Sequence, residues 1–309
     1  MSIIPQFNCK YIISVLLSTY NGDKYLKSQL DSVFVCDNVC CRIFVRDDGS
    51  SDRTQNILDT YQECKKLTWI KGENIGPARS FMELLYRADE ADYYSFCDQD
   101  DVWQKDKLSV AIDKLSSIPE NIPALYFSEK TIVDKDLMPI KDTHGNYLLT
   151  LGESFINNPV TGCTMVINKK LRDIIVSAKI PDYFSLHDSW IYRICLAVGG
   201  VVIYDRTPHI LYRQHGNNVV GHIGLFKRMY AFVNNIFRNT ECARSKVAYE
   251  LLNSYNSYMT DDNKMLLEQL SRYKISILNK LRLLINPRMR THSWIGTLTF
   301  RFYVLFNRY

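Results

Sequence analysis

The sequence predicts an α/β protein: a mostly parallel sheet with helices on both faces, followed by a helical C-terminal extension. Three observations carry this reading. Short apolar runs alternate with helix-period stretches over the first 130 of 309 residues, the pattern of strand–helix–strand units. The polar clusters STYNG, RDDGSSD and CDQDD each follow one of those runs. From residue 226 the strand signal gives way to a basic, Leu- and Tyr-rich helical pattern. The chain is therefore divided into a body, 1–225, and an extension, 226–309.

IISVLLST at 12–19 is a short continuous apolar run, as expected of a strand covered on both faces. Residues 23–35 read as the helix after it. CRIFVRDD at 41–48 is the second strand, and after GSSD comes a helix with Ile57, Leu58 and Tyr61 on one face. Ser50 or Ser51 is placed to cap that helix, and Asp52 suits its first turn. LTWIKG (67–72) is a third strand, a helix follows near 78–88, and YYSFCD (93–98) is a fourth strand. Leu108, Ala111, Ile112 and Leu115 then recur at the spacing of a core-facing helix. ALYFSEKTIV (124–133) reads as a fifth strand. Further on the pattern is mixed. VTGCTMVIN (160–168) reads as a strand, His187 to Val198 as a helix, and VVIYD and ILYRQH flank a turn at Pro208.

The net charge of +5 is unevenly spread: +9 from Phe226 onward, with 14 Lys and Arg against 5 Asp and Glu, and −4 before it. The negative body argues against a nucleic-acid partner. Nine cysteines at irregular spacing, with no CxxC pair and no Cys/His cluster at zinc spacing, read as reduced thiols in a cytoplasmic protein. IISVLLSTY is followed by Asn21-Gly22, not by a small-residue cleavage site, so it is not read as a signal peptide. No run of 18 or more apolar residues predicts a transmembrane helix.

Ligands of such sheets bind at the carboxyl ends of the strands, where STYNG, RDDGSSD and CDQDD should converge. In CDQDD, Asp98 and Asp100 stand at period-2 spacing, on one side of an extended chain. Clustered carboxylates repel and raise one another's pKa, whereas a divalent cation needs hard oxygen ligands of this kind. A cap for the helix starting near Lys105 accounts for Asp101 but leaves Asp98 and Asp100 unexplained. Asp47-Asp48-Gly49 suits a turn and helix cap; a carboxylate there can also accept hydrogen bonds from a base or a ribose hydroxyl. No GxGxxG follows the first strand, and GxxxxGK[ST] and GxSxG are absent, which argues against dinucleotide, P-loop and serine-hydrolase chemistry. A nucleotidyltransferase also pairs acids with a metal, but it would carry a glycine- and basic-rich phosphate loop that STYNG does not match.

Taken in order, STYNG, RDDGSSD, ENIGPARSF, FCDQDDVW, HDSW and YRQHGNNVVG resemble the family 2 inverting glycosyltransferases of the Rossmann-like GT-A fold. Among these the chain looks most like the bacterial rhamnosyltransferase-like members, over roughly residues 11–222. The resemblance implies metal-dependent transfer of a sugar from a nucleotide-diphosphate donor, a deoxythymidine- or uridine-diphosphate sugar. The acceptor it implies is a hydroxyl of a glycan or lipid-linked molecule in surface polysaccharide synthesis. It implies that Thr19, Tyr20 and Asn21 lie at the nucleoside, Asp48 at the base and Arg79 near the nucleotide. Asp98 would contact the ribose or a metal-bound water, and Asp100 would ligate Mg²⁺ or Mn²⁺ bridging to the diphosphate. Asp188 of HDSW matches the general base, while Thr161, Gly162 and His187 fall on the acceptor side. HDSW departs from the commoner Glu-Asp pair; a base at its first position would be His187. His215 is the candidate for a third metal contact, although a histidine in a polar loop also suits plain surface. Trp103 stacks on a sugar face or belongs to the core, and Arg213 reaches the diphosphate or pairs with a carboxylate. A non-catalytic nucleotide-sugar- or glycan-binding relative is the alternative, against which the presence of Asp100 and Asp188 counts.

In the extension, ILNKLRLLINPRMR and WIGTLTFRFYVLF suit a surface lying on the cytoplasmic face of a membrane, or a helical extension that packs on the body or forms a dimer.

Overall fold

The computed structural model describes residues 10–37, 39–214 and 243–309. Strand β1 (Ile12–Thr19) is central. Its Ile13, Val15 and Leu17 enter one apolar cluster and Leu16 the other. Both faces are covered, which is why the run shows little polar alternation. On one side β2 (Cys40–Asp47) and then β3 (Thr68–Lys71) add in parallel; on the other lies β4 (Tyr93–Cys97), also parallel. Helices α1 (Leu26–Phe34), α2 (Thr54–Glu63) and α3 (Pro77–Arg87) intervene between these strands. Beyond β4 come β9 (Val166–Asn168), antiparallel to both neighbours, then β6 (Ala124–Ser128) and β10 (Val201–Asp205), which pair in parallel. The strand order is β10-β6-β9-β4-β1-β2-β3.

A second sheet, in the order β5-β11-β7-β8, is built from β5 (Val102–Trp103), β7 (Thr131–Val133), β8 (Pro139–Asp142) and β11 (Ile210–Arg213). Its short strands depart from the sequence reading. ALYFSEKTIV is two strands in two sheets, broken at Glu129-Lys130. Glu129 is buried there, and its carboxylate accepts hydrogen bonds from the Thr143 and Tyr204 hydroxyls. VTGCTMVIN is strand only at its end, after a 3-10 turn at Gly162–Thr164. Neither Ser50 nor Ser51 caps α2. Asp52 does the nearest equivalent, accepting the Thr54 N–H at 2.9 Å, while Ser50 Oγ accepts the Asn21 N–H. Cys36, Cys41, Cys64, Cys97, Cys163 and Cys195 are free thiols, but Cys40 is disulfide-bonded, a correction to the all-thiol expectation.

Among the described residues the further helices are α4 (Lys107–Ser116), α5 (Leu151–Ile156), α6 (Lys169–Val176), α7 (His187–Ala197), α8 (Ala243–Tyr255), α9 (Asp261–Arg272), α10 (Ile277–Ile285) and α11 (Trp294–Leu305). Leu251 of α8 and Leu266 and Leu270 of α9 share an apolar cluster with Trp190 and Ile194 of α7. The C-terminal helices and one face of the central sheet thus have a common core. Among the described residues no helix is long and apolar enough to cross a membrane.

Candidate active site

β1, β2 and β4 are adjacent and parallel, so the segments leaving Thr19, Asp47 and Cys97 share one sheet edge. Gln99 fastens two of them. The Thr19 hydroxyl donates to Gln99 Oε1 at 2.6 Å and the Tyr20 N–H to the same oxygen at 2.8 Å, while Gln99 Nε2 donates to the Tyr20 carbonyl at 3.1 Å. Gly22 lies against this side chain: a Cβ there would come within 2.3 Å of Gln99 Oε1. Asn21, at φ 47°, donates its N–H to Ser50 Oγ and accepts from the Ser51 N–H, joining the first loop to the second. Tyr20 is left exposed at the rim.

Asp48 is buried, and its carboxylate already holds three partners. It accepts the Ile75 N–H at 3.0 Å and the Gly76 N–H at 2.9 Å, and pairs with the buried Arg46 guanidinium. Arg46 also donates to Glu83 and to the Glu73 carbonyl. Asp48 therefore ties the turn entering α3 to the end of β2. Arg79, on α3, donates to the carbonyls of Asp182 at 3.0 Å and Pro181 at 3.3 Å. Both residues hold loops together at the rim of the sheet edge.

The acidic segment after β4 is more crowded than the period-2 reading implied. The carboxylates of Asp98 and Asp101 and the thiol of Cys163 present atoms within 4.8 Å of one another. Asp101 is fully buried and caps no helix, because α4 starts only at Lys107, behind Asp106. Its Oδ1 accepts the Arg213 N–H at 3.0 Å, whereas Oδ2 has no hydrogen-bond partner among the described residues. Burial, with the charges of Asp100 and Asp188, raises the half-buried Asp98 to about 7. Burial, with Asp100 and Asp98 close by, pushes Asp101 well above the usual carboxylate range.

Mutually repelling carboxyl groups, one with an unbonded buried oxygen, fit the divalent cation that the fold family implies. Cys163 does not add to the fit. Burial first, then Asp101 and Asp98, raise its thiol, and a protonated thiol is a poor ligand for a hard cation. His215 lies outside the described residues. Arg213 is buried over the Tyr25 ring and donates to the Asp100 and Lys135 carbonyls at 2.8 and 2.5 Å, so it braces the acidic loop's backbone.

Across from these acids, Asp188 sits in the first turn of α7 and is buried. Its carboxylate accepts the backbone N–H of Ser189 and that of Gly162. Burial lifts its pKa to about 6, and those bonds, Arg193 and Lys130 keep it from rising further. His187 is a correction to the acceptor-side expectation. Its ring packs between Phe81 and Phe96, centroids 4.1 and 5.3 Å away. Burial lowers its pKa to about 3, so it stays a neutral part of the wall behind Asp188. Trp103 is the other correction: it is buried in the core, with Lys107 Nζ 3.6 Å from its ring centroid, and it offers no face to a sugar.

The Thr161 hydroxyl accepts from Lys130 Nζ at 2.7 Å. Lys130 was missed by the sequence reading. It is the cation that lowers Asp98, Asp188 and Cys163 together. The available signal was a Glu-Lys pair interrupting an apolar strand run.

A mainly parallel sheet with helices packed around it therefore carries acid groups from the segment after β4 and from α7 at its carboxyl edge. The model of glycosyl transferase family 2 matches residues 14–173. A dTDP-rhamnosyl transferase of Shigella flexneri, RfbG, is 33% identical over 235 residues, covering 69% of this chain and 76% of that one. The UDP-Glc:alpha-D-GlcNAc-diphosphoundecaprenol beta-1,3-glucosyltransferase WfgD of Escherichia coli is 27% identical over 169 residues, 52% of this chain and 62% of that one. Among solved structures, TarS of S. aureus in complex with UDP-GlcNAc aligns with a TM-score of 0.56 at 17% identity, over 94% of this chain and 81% of that one. The chain belongs to glycosyl transferase family 2.

Proposed function

We propose that the protein is a metal-dependent, inverting glycosyltransferase of polysaccharide synthesis, moving a sugar from a nucleotide-diphosphate donor to a hydroxyl of a glycan or lipid-linked acceptor. One observation carries the reading: Asp188 stands close enough to the acids after β4 for its charge to raise Asp98. The geometry supports the same reading, since Asp188 accepts the Gly162 N–H and the next residue, Cys163, has its thiol within 4.8 Å of the Asp98 and Asp101 carboxylates.

In this reading Thr19, Tyr20 and Asn21 border the nucleoside, with Asp48 and Arg79 shaping the rim beside it. Asp98 and Asp100 would hold Mg²⁺ or Mn²⁺, which supplies positive charge to the diphosphate as it leaves. Asp101 backs them, its Oδ1 fixed by the Arg213 N–H. Asp188 takes the proton of the acceptor hydroxyl. The acceptor oxygen forms its bond to the anomeric carbon as the bond from that carbon to the diphosphate oxygen breaks, and the nucleoside diphosphate departs. A single displacement of this kind inverts the anomeric centre. Thr161 and Gly162 border the acceptor side, with Lys130 positioned by the Thr161 hydroxyl.

The likeness to RfbG makes a dTDP-deoxyhexose the first donor to test. The experiment is to follow nucleoside-diphosphate release from a panel of dTDP- and UDP-sugars with Mg²⁺, Mn²⁺ or chelator, and to read the product anomer by NMR. Metal-dependent release with inversion is expected. Release that is indifferent to chelator, or a retained anomer, contradicts the mechanism; donor binding with no turnover on any acceptor favours the non-catalytic relative.

A further inference from the structure

We infer that the solvent-facing side of α10 and α11 is a docking surface for a lipid bilayer bearing anionic headgroups. This extends the proposed function by naming the surface on which a lipid-linked acceptor would be met, and its test is separate from any test of transfer.

Both helices are firmly started. The Ser276 and Ser293 side chains accept the N–H groups of Asn279 at 3.1 Å and Gly296 at 3.3 Å, as N-caps do. Leu283 of α10 and Phe300 and Val304 of α11 are buried and join the main core. The Lys280 ammonium donates to the Leu305 carbonyl at 3.3 Å and joins the two helices.

The outward stripes are apolar, the reverse of an ordinary surface helix. On α10, Ile277, Leu281 and Ile285 recur every fourth residue at 76, 49 and 76% exposure. On α11, Trp294, Leu298 and Leu305 share a face at 70, 50 and 54%. Scattered exposed apolar residues mean little, but a stripe shared by two adjacent helices marks an interaction site.

Charge selects the occupant. No Asp or Glu follows Glu268, while seven Lys and Arg lie between Tyr273 and Tyr309. Lys274, Arg282, Arg290 and Arg301 are exposed. A second copy of the chain would bring two such cationic faces together with no carboxylate between them. A bilayer surface instead offers acyl boundary to the stripes and anionic phosphates to the cations, with Trp294 suited to the interface. α11 packs on α5, and α5 on α7, which carries Asp188, so the docking face is built onto the elements that position the proposed base.

The test is co-sedimentation of the full chain with vesicles of phosphatidylcholine alone and of phosphatidylcholine mixed with phosphatidylglycerol. Strong binding to the mixed vesicles, weakened by salt, is expected. Leu281→Glu with Leu298→Glu should abolish it, and Arg282→Gln and Arg301→Gln should each weaken it about fivefold. All four substitutions lie on exposed side chains, and unchanged thermal unfolding verifies the fold. No binding to mixed vesicles, or binding that the paired glutamates leave intact, overturns the proposal. So does a dimer that those glutamates disperse while vesicles capture nothing. A chain that binds vesicles but transfers no sugar would sink the proposed reaction and leave the docking face standing.

Discussion

Gly162 lies directly against His187: a Cβ on residue 162 would stand 2.5 Å from His187 Nε2. The imidazole has little room to yield, being packed on Phe81 and Phe96. The same glycine gives its N–H to the Asp188 carboxylate. The glycine is thus needed for close approach, and the proposed base depends on it twice. Gly162→Ala should lower kcat by about 10²-fold, the cost of roughly 1 Å of misplacement, with donor affinity little changed. Steady-state kinetics beside donor titration checks this; equal loss of binding and turnover would show general disruption instead.

Asp188→Asn should keep donor binding and lose about 10²–10⁴-fold in turnover, the range for a general base. In the wild type the base must be unprotonated, and its pKa is raised to about 6 by burial. kcat/KM should therefore rise with pH through about 6 and level off above it. Lys130 lowers Asp188, so Lys130→Met should move the inflection upward. A pH–rate profile of the two proteins measures both effects, and an unmoved inflection would remove Lys130 from the account.

Asp98 gives a stability prediction with a definite sign. Its pKa is about 7 in the fold against an ordinary 3.8. The folded state holds that proton more tightly, so the contribution is full below the ordinary value and is lost as pH rises through about 7. Without metal, Asp98→Asn should raise Tm at pH 8 by about 1–2 °C, what ~1 kcal/mol is worth in a chain of this size, and should have little effect at acid pH. Mn²⁺ should stabilise the wild type more than the variant. Thermal scans at two pH values, with and without metal, decide the matter.

Asp48→Ala should act mainly on folding. It leaves the buried Arg46 guanidinium with only the part-exposed Glu83 as a carboxylate partner and frees two backbone N–H groups, so the cost should fall at or below the about 3–5 kcal/mol of breaking a buried pair. Urea unfolding reads this directly. A variant of unchanged stability with weakened nucleotide binding would show that Asp48 works chiefly as a ligand contact.

The order of elements was legible where burial is two-sided or periodic. The apolar run of β1 and the stripe of α4 show in the sequence because each reflects one continuous environment. The short strands β5 and β8 were not seen, since two to four residues carry no periodicity. The convergence of STYNG, RDDGSSD and CDQDD followed from parallel-sheet logic alone. What stayed hidden were long-range meetings: Asp101 and Asp98 with Cys163, Lys130 with Thr161, and Asp48 with the Ile75 N–H 27 residues later. His187 and Trp103 misled for the same reason. Each lies beside chemistry-bearing acids in sequence, yet each side chain turns into the core.

The most direct measurement is calorimetric titration of the preferred nucleotide-sugar into wild type, Asp100→Ala and Asp188→Asn, each with and without Mn²⁺. The account requires metal-dependent binding by the wild type, its loss in Asp100→Ala, and its retention in Asp188→Asn. Equal binding with and without metal in all three proteins would contradict it, and the acids after β4 would then need another occupant.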